Sequence, residues 1–223
     1  MNDNTTAHFA EEYNEKVIKT IPYYSEFYKQ IIDIVRVSGK KDIVWLDEGC
    51  GTGKMSLEAR KSDLDIKKII SCDISEKMLD IAKNICVNSE DKFIEKSVLN
   101  AEYNDDFDVV TTVQVNHYFN NSDRIKSVTN CYNALKTGGL YFTFENIAPA
   151  SDEGVNLFLK RWKSFQVNCG KAEEESCQHI ARYGKEYFPI SISEHLKALE
   201  LCGFKVVEVI WASYMQAGFL GIK

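Results

Sequence analysis

Residues 43–53, Ile-Val-Trp-Leu-Asp-Glu-Gly-Cys-Gly-Thr-Gly, join a predicted strand to a predicted helix through three alternating glycines. The apolar run 43–46 is long enough for one parallel strand that is covered on both faces. The glycines tolerate unusual backbone angles and carry no side chains, so a ligand can approach the main chain closely. A helical pattern begins at Lys54. This arrangement is typical of the loop that binds a nucleotide-type cofactor in an α/β protein.

Spacing and charge argue against the two common phosphate-binding loops. A Walker A loop requires Gly-x4-Gly-Lys-Ser/Thr, but Glu48 and Met55 take the places of its first glycine and its hydroxyl residue. The dinucleotide fingerprint requires a third glycine, which Lys54 or Ser56 replaces. Asp47 and Glu48 also lead into the turn, and a like-charge contact at about 4 Å costs on the order of 4 kcal/mol at an effective dielectric of 20. A cationic ligand without phosphate is favoured.

The run 46–53 resembles the first motif of the class I S-adenosylmethionine-dependent methyltransferases. The methyl donor of that family carries a sulfonium and an ammonium group and no phosphate, in agreement with the charge argument. The resemblance covers roughly residues 7–145 and 190–223. It implies S-adenosyl-L-methionine as cofactor and a Rossmann-like, doubly wound α/β fold, with a seven-stranded, mostly parallel sheet and an antiparallel C-terminal strand. The loop residues that it implies as cofactor contacts are Asp47, Gly49, Cys50, Gly51 and Gly53.

A second predicted strand, 68–73, ends in Asp73, which follows Gly53 by 20 residues. This is near the distance at which dinucleotide-type folds place the carboxylate that binds ribose hydroxyls. Asp73 is equally a residue type that caps the next helix. Residues 73–79 resemble the second motif of the family, which implies Ile74 and Met78 as apolar neighbours of adenine, although both also fit a helix core.

The third and fourth predicted strands supply the remaining contacts. After strand 92–95 the family usually has an acid that holds the adenine amino group, but this chain has Ser97, followed by Val98. After strand 107–113 come Gln114, predicted to meet the cofactor, and His117, the candidate catalytic base. The alternative for His117 is simple packing under the following loop. No Asn/Asp-Pro-Pro-Tyr/Phe and no Pro-Cys follows this strand, which disfavours methylation of adenine or glutamine nitrogen and of cytosine C5.

The rest of the pattern predicts one methyltransferase domain, 1–223, with two additions. A leader, 7–37, interrupted at Pro22, is predicted to cap the cofactor through Phe9 and Tyr13, or to pack on the flank of the sheet. A helical lid, 146–189, holds aromatic and cationic residues that either select the acceptor or form an ordinary packed cover. Within it, Tyr183 is a second candidate for the catalytic base.

The last elements follow the same alternating pattern. A helix is predicted from Ser122 to Leu135, ended by Gly138 and Gly139, with a fifth strand at 140–144. A helix at 192–202 and an antiparallel pair of strands at 204–210 and 214–222 complete the sheet.

Composition limits the partners. The chain has 27 basic and 33 acidic residues, a net charge of −6 and no basic stripe, so we predict no nucleic-acid partner. No apolar run approaches the roughly 18 residues of a membrane span, and the polar N-terminus does not resemble a signal peptide. We expect a cytoplasmic monomer or homodimer with no membrane partner. Seven scattered cysteines fit a reducing compartment. No metal is predicted, although Cys169, Cys177 and His179 leave a weak alternative.

The function predicted from these residues is transfer of a methyl group from S-adenosylmethionine to a small-molecule acceptor by in-line displacement. Two alternatives stay open. A nicotinamide-dependent oxidoreductase would have to place pyrophosphate beside the two acids of the loop. A non-catalytic S-adenosylmethionine-binding module would share the cofactor loop and lack chemistry.

Overall fold

The computed structural model describes residue 6 and residues 8–86 and 88–223. Seven strands form one sheet in the order β3-β2-β1-β4-β5-β7-β6. The strands are β1 (Ile43–Glu48), β2 (Ile66–Asp73), β3 (Lys92–Glu95), β4 (Phe107–Val113), β5 (Leu135–Asn146), β6 (Val206–Ser213) and β7 (Gln216–Ile222). The first five are parallel, and β7 is antiparallel to both β5 and β6. The predicted seven-stranded, mostly parallel sheet is confirmed.

The helices connect these strands and cover both faces of the sheet. They are α1 (Tyr13–Thr20), α2 (Tyr24–Val37), α3 (Lys54–Lys61), α4 (Glu76–Ile85), α5 (Asn121–Ala134), α6 (Asp152–Asn168), α7 (Glu173–Ile180) and α8 (Ile192–Leu201). Within the sheet, β1 lies between β2 and β4, so the order of the strands reverses at β1. In such an open sheet, ligands bind where the strand order reverses, beyond the carboxyl ends of these strands. That point lies directly after residues 48 and 113.

Strand β1 is buried on both faces because its side chains alternate between two cores. Trp45 packs with residues of α2 and α3, including Phe27 and Met55. Leu46 packs with residues of α5 and α8, including Val128 and Leu199. The same alternation sends Asp47 and Glu48 to opposite faces of the sheet, so the two acids of the loop have different surroundings.

The leader and the lid are held to each other and to the sheet. The leader breaks after α1, where Tyr23 takes a left-handed backbone with φ 55°, and in α2 the ring of Phe27 stacks on Phe144 at 4.8 Å. In the lid, α6 places Trp162 in a third apolar cluster with Tyr187. The indole N–H of Trp162 donates to the carbonyl of Thr20 at 2.6 Å. Residue 7 of the predicted leader lies outside the described residues.

The predicted end of the helix before the fifth strand is wrong. Gly138 and Gly139 do not end α5, because the helix stops at Ala134 and β5 already begins at Leu135. Leu135 is fully buried and pairs with Phe107 of β4. The two glycines lie inside β5, at an irregularity of the β4–β5 register, where Gly138 has φ +75°. The helix therefore ends before the glycine pair, because the buried Leu135 already pairs with β4 as a strand residue.

Candidate cofactor and acceptor site

The turn after β1 contains three glycines. At Gly49 and Gly53 neighbouring atoms leave no room for a side chain, and at Gly51 the space beside the backbone is open. A Cβ on Gly49 would lie 2.4 Å from Cγ2 of Val115, and a Cβ on Gly53 would lie 2.9 Å from Cβ of Ala82. Both glycines also have positive φ, +71° and +79°, which L-residues rarely adopt. Gly51 has φ +53°, and no atom lies within 4 Å of its Cβ position. Gly51 therefore leaves its backbone open to a ligand.

A cleft of about 760 Å³, counted to its open mouth, lies above this turn. Its walls are formed by Thr6, Tyr13, Gly49, Gly51, Asp73, Ile74, Met78, Lys96, Ser97, Val98, Val113, Gln114, Val115, Tyr118 and Phe119. Residues that follow four different strands therefore meet at one edge of the sheet, together with α1 of the leader. Nine of the thirteen predicted cofactor contacts are among them.

Asp73 ties the wall of the cleft to the glycine turn. Its Oδ2 accepts the backbone N–H of Gly51 at 2.8 Å, and its Oδ1 accepts that of Ser75 at 2.9 Å. Burial raises the pKa of this carboxyl, and the hydrogen bonds from Ser75 and Gly51 act against the rise. Each carboxylate oxygen has a second lone pair, so Asp73 can also accept from vicinal hydroxyls of a ribose.

Asp47 lies deeper, where the cleft extends below the turn beside Tyr13, Tyr24 and Cys50. Its Oδ1 accepts the hydroxyl of Thr111 at 2.7 Å. Its Oδ2 is buried and has no hydrogen-bond partner among the described residues. Burial raises the pKa of Asp47 to about 7. An unpaired buried acceptor is costly, and a ligand ammonium placed here would satisfy it.

Glu48 does not share this role, although it is adjacent in sequence. It projects to the opposite face, where it interacts electrostatically with the side chains of Cys72, Tyr103 and Cys131. Both carboxylate oxygens are buried and lack partners in the part of the chain that the structure describes. Burial raises its pKa to about 7. Of the two acids that suggested a cationic ligand, only Asp47 faces the ligand site.

These features fit S-adenosylmethionine better than a pyrophosphate cofactor. The unpaired oxygen of Asp47 suits the ammonium, and the carboxylate of Asp73 suits the ribose. Ile74, Met78 and Val98 give an apolar wall against which an adenine can pack. Ser97 lies on the same wall, and its hydroxyl oxygen accepts the N–H of Leu99 at 3.2 Å. The hydroxyl proton is therefore available for a hydrogen bond to the adenine.

The segment after β4 provides one wall residue and one buried polar pair. Gln114 lines the cleft and has φ 62°, a strained backbone of the kind found at functional sites. His117 is buried, and its Nδ1 lies 2.6 Å from Oε2 of Glu145. Burial acts to raise the pKa of Glu145, but hydrogen bonds from His117 and Thr143 hold it below its usual value. The His117 ring lies behind that of Tyr118, at 4.4 Å between centroids, and only Tyr118 reaches the cleft.

Several predicted residues lie outside the main cleft. Phe9 is 49% exposed at the start of the leader, and Gly53 packs against α4. Tyr183 packs on Tyr187 in the lid, at 6.0 Å between ring centroids. Cys50 and Asp47 line the deeper extension.

Sequence reasoning did not single out Lys96, Val115 or Phe119. Each follows shortly after the end of β3 or β4, and that position was the available signal.

A second cavity adjoins the cleft between the leader and the lid. It encloses about 400 Å³ and shares Tyr13, Gln114 and Tyr118 with the cofactor cleft. Its other walls come from α1, β5 and the lid, with Thr20, Asn146, Trp162, His179, Arg182 and Tyr187. A molecule in this cavity can therefore touch one in the cleft. Among the described residues, no three His, Cys, Asp or Glu side chains are grouped to hold a metal ion, and no helix is long and apolar enough to cross a bilayer.

The chain is similar to known methyltransferases. A family model described as a methyltransferase domain matches residues 46–139. Carboxy-S-adenosyl-L-methionine synthases of Nautilia profundicola and Staphylococcus epidermidis are each 23% identical to it. The first match covers 96% of this chain and 92% of the relative, and the second covers 96% and 93%.

Two solved structures share the fold at low identity. One is a protein of Haloferax volcanii solved with a methyltransferase activator, with a TM-score of 0.70, 15% identity and coverage of 96% of this chain and 95% of that one. The other is magnesium protoporphyrin IX methyltransferase of Synechocystis with bound S-adenosylhomocysteine, with a TM-score of 0.64, 14% identity and coverage of 89% and 82%.

The sheet order, the glycine turn and these similarities agree, and they favour neither a nicotinamide enzyme nor a binding module without chemistry. S-adenosylmethionine is the cofactor that they share. Over residues 46–139 the chain matches the methyltransferase domain family, and its fold is the one seen in solved methyltransferase structures.

Proposed function

We propose that this enzyme transfers the methyl group of S-adenosylmethionine to a small-molecule acceptor held between the leader and the lid. The observation that carries the proposal is the continuity of two cavities. The cofactor cleft, whose deeper extension holds the unpaired Asp47 oxygen, opens at Gln114 and Tyr118 into a second cavity between the leader and the lid. The net charge of −6 argues against a nucleic-acid acceptor.

The residues of the cleft have separate roles in this proposal. Asp47 accepts from the ammonium of the cofactor and Asp73 from its ribose hydroxyls. Ile74, Met78 and Val98 enclose the adenine. When bound, the cofactor supplies a methyl group on a sulfonium whose thioether is already a good leaving group. The protein therefore has to orient the acceptor and exclude water more than it has to activate the donor.

The residues at the junction of the two cavities orient the acceptor in this proposal. Tyr118 and Gln114 face both spaces, so an acceptor atom next to them lies within reach of the methyl group. Trp162 and Tyr187 form an apolar cover on the lid side. We propose that His117 acts by fixing Tyr118, because its own ring is buried against Glu145. Tyr183 remains a proposed base that would have to reach the acceptor from the lid.

The curated relatives suggest a second candidate reaction. They are named as synthases of carboxy-S-adenosylmethionine, and their similarity spans 96% of this chain. In that case a carboxyl group from a donor such as bicarbonate, which the incubation must also contain, would replace a C–H proton of the cofactor. The carboxylated cofactor would be released as product, and no methyl group would reach an acceptor.

One experiment separates these outcomes. The enzyme is incubated with methyl-labelled S-adenosylmethionine and pools of small acceptors that carry oxygen, nitrogen, sulfur or carbon nucleophiles, and the adenosyl products are identified by mass spectrometry. Methyl transfer predicts S-adenosylhomocysteine and a labelled acceptor. A carboxylated cofactor would instead support the second reaction. Tight cofactor binding with neither product from any pool would overturn both. The Asp73→Ala variant controls for products that arise without the enzyme.

A further inference from the structure

A third, open space continues from the acceptor cavity to the surface and is lined mainly by charged and polar side chains. It lies between the start of the leader, α1 and the lid, and shares His8, His179 and Arg182 with the acceptor cavity. Lys16 and Lys171 line its outer part. Its lining holds three cations, Lys16, Lys171 and Arg182, against two carboxylates, Glu175 and Glu186, in a chain whose net charge is −6.

Lys171, in the turn between α6 and α7, differs from the other cations of this space. Its Nζ donates to Oε1 of Gln166 at 3.0 Å and to the hydroxyl of Thr20 at 3.4 Å, both neutral groups. Within residues 8–86 and 88–223, no carboxylate oxygen lies within 4.0 Å of it. By contrast, Lys16 pairs with Glu12 and Arg182 with Glu186, each at 2.7 Å.

A half-buried ammonium without a carboxylate costs free energy. Burial lowers the pKa of Lys171 to about 8. Glu175 acts to raise this pKa, and Lys16 and Arg182 act to lower it further. The neighbouring imidazoles add no positive charge near neutral pH. Burial lowers the pKa of His8 to about 4 and that of His179 well below its ordinary value. The protein thus holds one poorly compensated cation at the outer end of the acceptor space.

The position of Lys171 is set by a network that reaches the acceptor cavity. The Thr20 hydroxyl that it contacts lies 3.1 Å from Nε2 of His8, and the Gln166 amide lies 3.0 Å from Nδ1 of His179. At the inner end of the same space, the hydroxyl of Tyr118 is hydrogen-bonded to Arg182. A polar network with a cation at each end, Lys171 and Arg182, therefore runs inward to the residue that borders the cofactor cleft.

We propose that the acceptor is a small anion, whose charged oxygen group binds Lys171 while its reacting atom lies beside Tyr118. This inference rests on the proposed function, since it assigns the substrate class of the same site. A carboxylate or a phosphate ester on the acceptor would supply the missing counter-charge, and charge-assisted hydrogen bonds to such groups are the stronger ones. Neutral acceptors of equal size would leave Lys171 uncompensated.

The test measures anion binding, so it needs neither the natural acceptor nor turnover. The full-length protein is saturated with S-adenosylhomocysteine and labelled with ¹⁵N at the tryptophan indoles. The indole N–H of Trp162 donates to the Thr20 carbonyl, so its resonance reports on the surroundings of Lys171. Sodium benzoate, benzamide and inorganic phosphate are titrated separately. Benzoate and benzamide have nearly the same shape and differ in charge.

Benzoate is expected to shift the Trp162 resonance and to bind about tenfold or more tightly than benzamide. Lys171→Gln should remove this difference, and Lys171→Arg should keep it. Lys160→Gln, an exposed lysine of α6, is the matched control and should bind benzoate like the wild type. A response to phosphate but not to benzoate would assign a phosphate ester in place of a carboxylate.

Equal binding of benzoate and benzamide together with no response to phosphate would overturn the inference, as would unchanged anion binding in Lys171→Gln. Calorimetry with S-adenosylhomocysteine keeps this failure distinct from failure of the proposed function. Cofactor binding does not involve Lys171, so a variant that binds cofactor normally is folded. Anion binding can therefore fail while the cofactor site, and the screen for methyl transfer, remain intact.

Discussion

The backbone N–H of Gly51 donates to Oδ2 of Asp73 over 2.8 Å, so the turn after β1 and the end of β2 are joined by one hydrogen bond. Gly51 lines the ligand cleft, and so does Asp73. The residue that must leave room for the cofactor and the residue proposed to bind its ribose are therefore positioned together. A change at either one should affect cofactor binding without unfolding the sheet.

Replacing Gly51 with alanine should abolish cofactor binding with only a modest loss of stability. Its φ of +53° strains any other residue, by about 1–2 kcal/mol. Since no protein atom lies within 4 Å of the added Cβ, the methyl group would extend into open space beside the ligand. We expect the dissociation constant for S-adenosylhomocysteine to rise about 100-fold or more, measured by calorimetry.

Gly39→Ala is the control for this experiment. Gly39 has φ +70° and the same open surroundings, but it lies in the turn after α2 and outside the cleft. Both variants should lose similar stability in urea, and only Gly51→Ala should lose the cofactor. Equal loss of binding in both would show that backbone strain, not access, accounts for the effect.

Much of the fold follows from local sequence patterns. The run 43–46, the three glycines and Asp73 are close in sequence, and their strand and turn signals need no distant partner. The prediction of strand, turn, helix and second strand is confirmed for this reason. The end of α5 was placed wrongly because it depends on Leu135 pairing with Phe107, a contact between different elements.

The acceptor side could not be predicted in the same way. The pairing of His117 with Glu145 joins residues that are 28 positions apart, and the contact of Lys171 with Thr20 joins residues 151 positions apart. No periodicity carries such information. Glu48 is a further example, because a strand with alternating side chains allows either acid to face the ligand until the second core is known.

Cofactor binding should weaken as the pH falls through about 7. Burial raises the pKa of Asp47 to about 7, and only the ionised carboxylate pairs with the ligand ammonium. Below that pKa the affinity should fall by up to about tenfold per pH unit. Titrations of S-adenosylhomocysteine between about pH 5.5 and about pH 8 measure this dependence.

Two variants assign the effect to Asp47. Asp47→Asn should bind weakly at every pH. Thr111→Val removes the hydroxyl that Oδ1 accepts, a bond that lowers the pKa of Asp47, so it should move the midpoint to higher pH. A pH dependence that persists in Asp47→Asn would assign it to another group, with Asp73 the first candidate because burial also raises its pKa.

His117→Gln should lower kcat by about tenfold while leaving cofactor affinity and the shape of the rate–pH profile unchanged. This is the expectation for a residue that fixes Tyr118 from a buried position. His195→Gln is the control, since His195 is also buried and its ring stacks on Phe219 at 4.6 Å. If the wild-type rate instead falls as the pH is lowered, and His117→Gln removes that fall, His117 is the base.

Replacing Glu48 with leucine should stabilise the protein at high pH and much less at low pH. The pKa of Glu48 is raised to about 7 by burial, against about 4.3 in an unfolded chain. Below the lower value both states are protonated and the carboxyl carries no ionisation penalty. As the pH rises to 7 and beyond, the folded state must bury a charge and stability is lost. Leucine removes that loss, on the order of 4 kcal/mol at most.

The measurement is urea unfolding of the wild type and Glu48→Leu at about pH 4.5 and about pH 8. The difference in free energy of unfolding between the two proteins should grow with pH. Glu208→Leu, an exposed site on β6, should show no such growth. Asp47, whose pKa is also raised, is present in both proteins, and its charge is one of the causes that raise the pKa of Glu48. Since Glu48 lies outside the ligand cleft, Glu48→Leu should retain its affinity for S-adenosylhomocysteine. A stability difference that is the same at both pH values would mean that Glu48 is not ionised inside the fold.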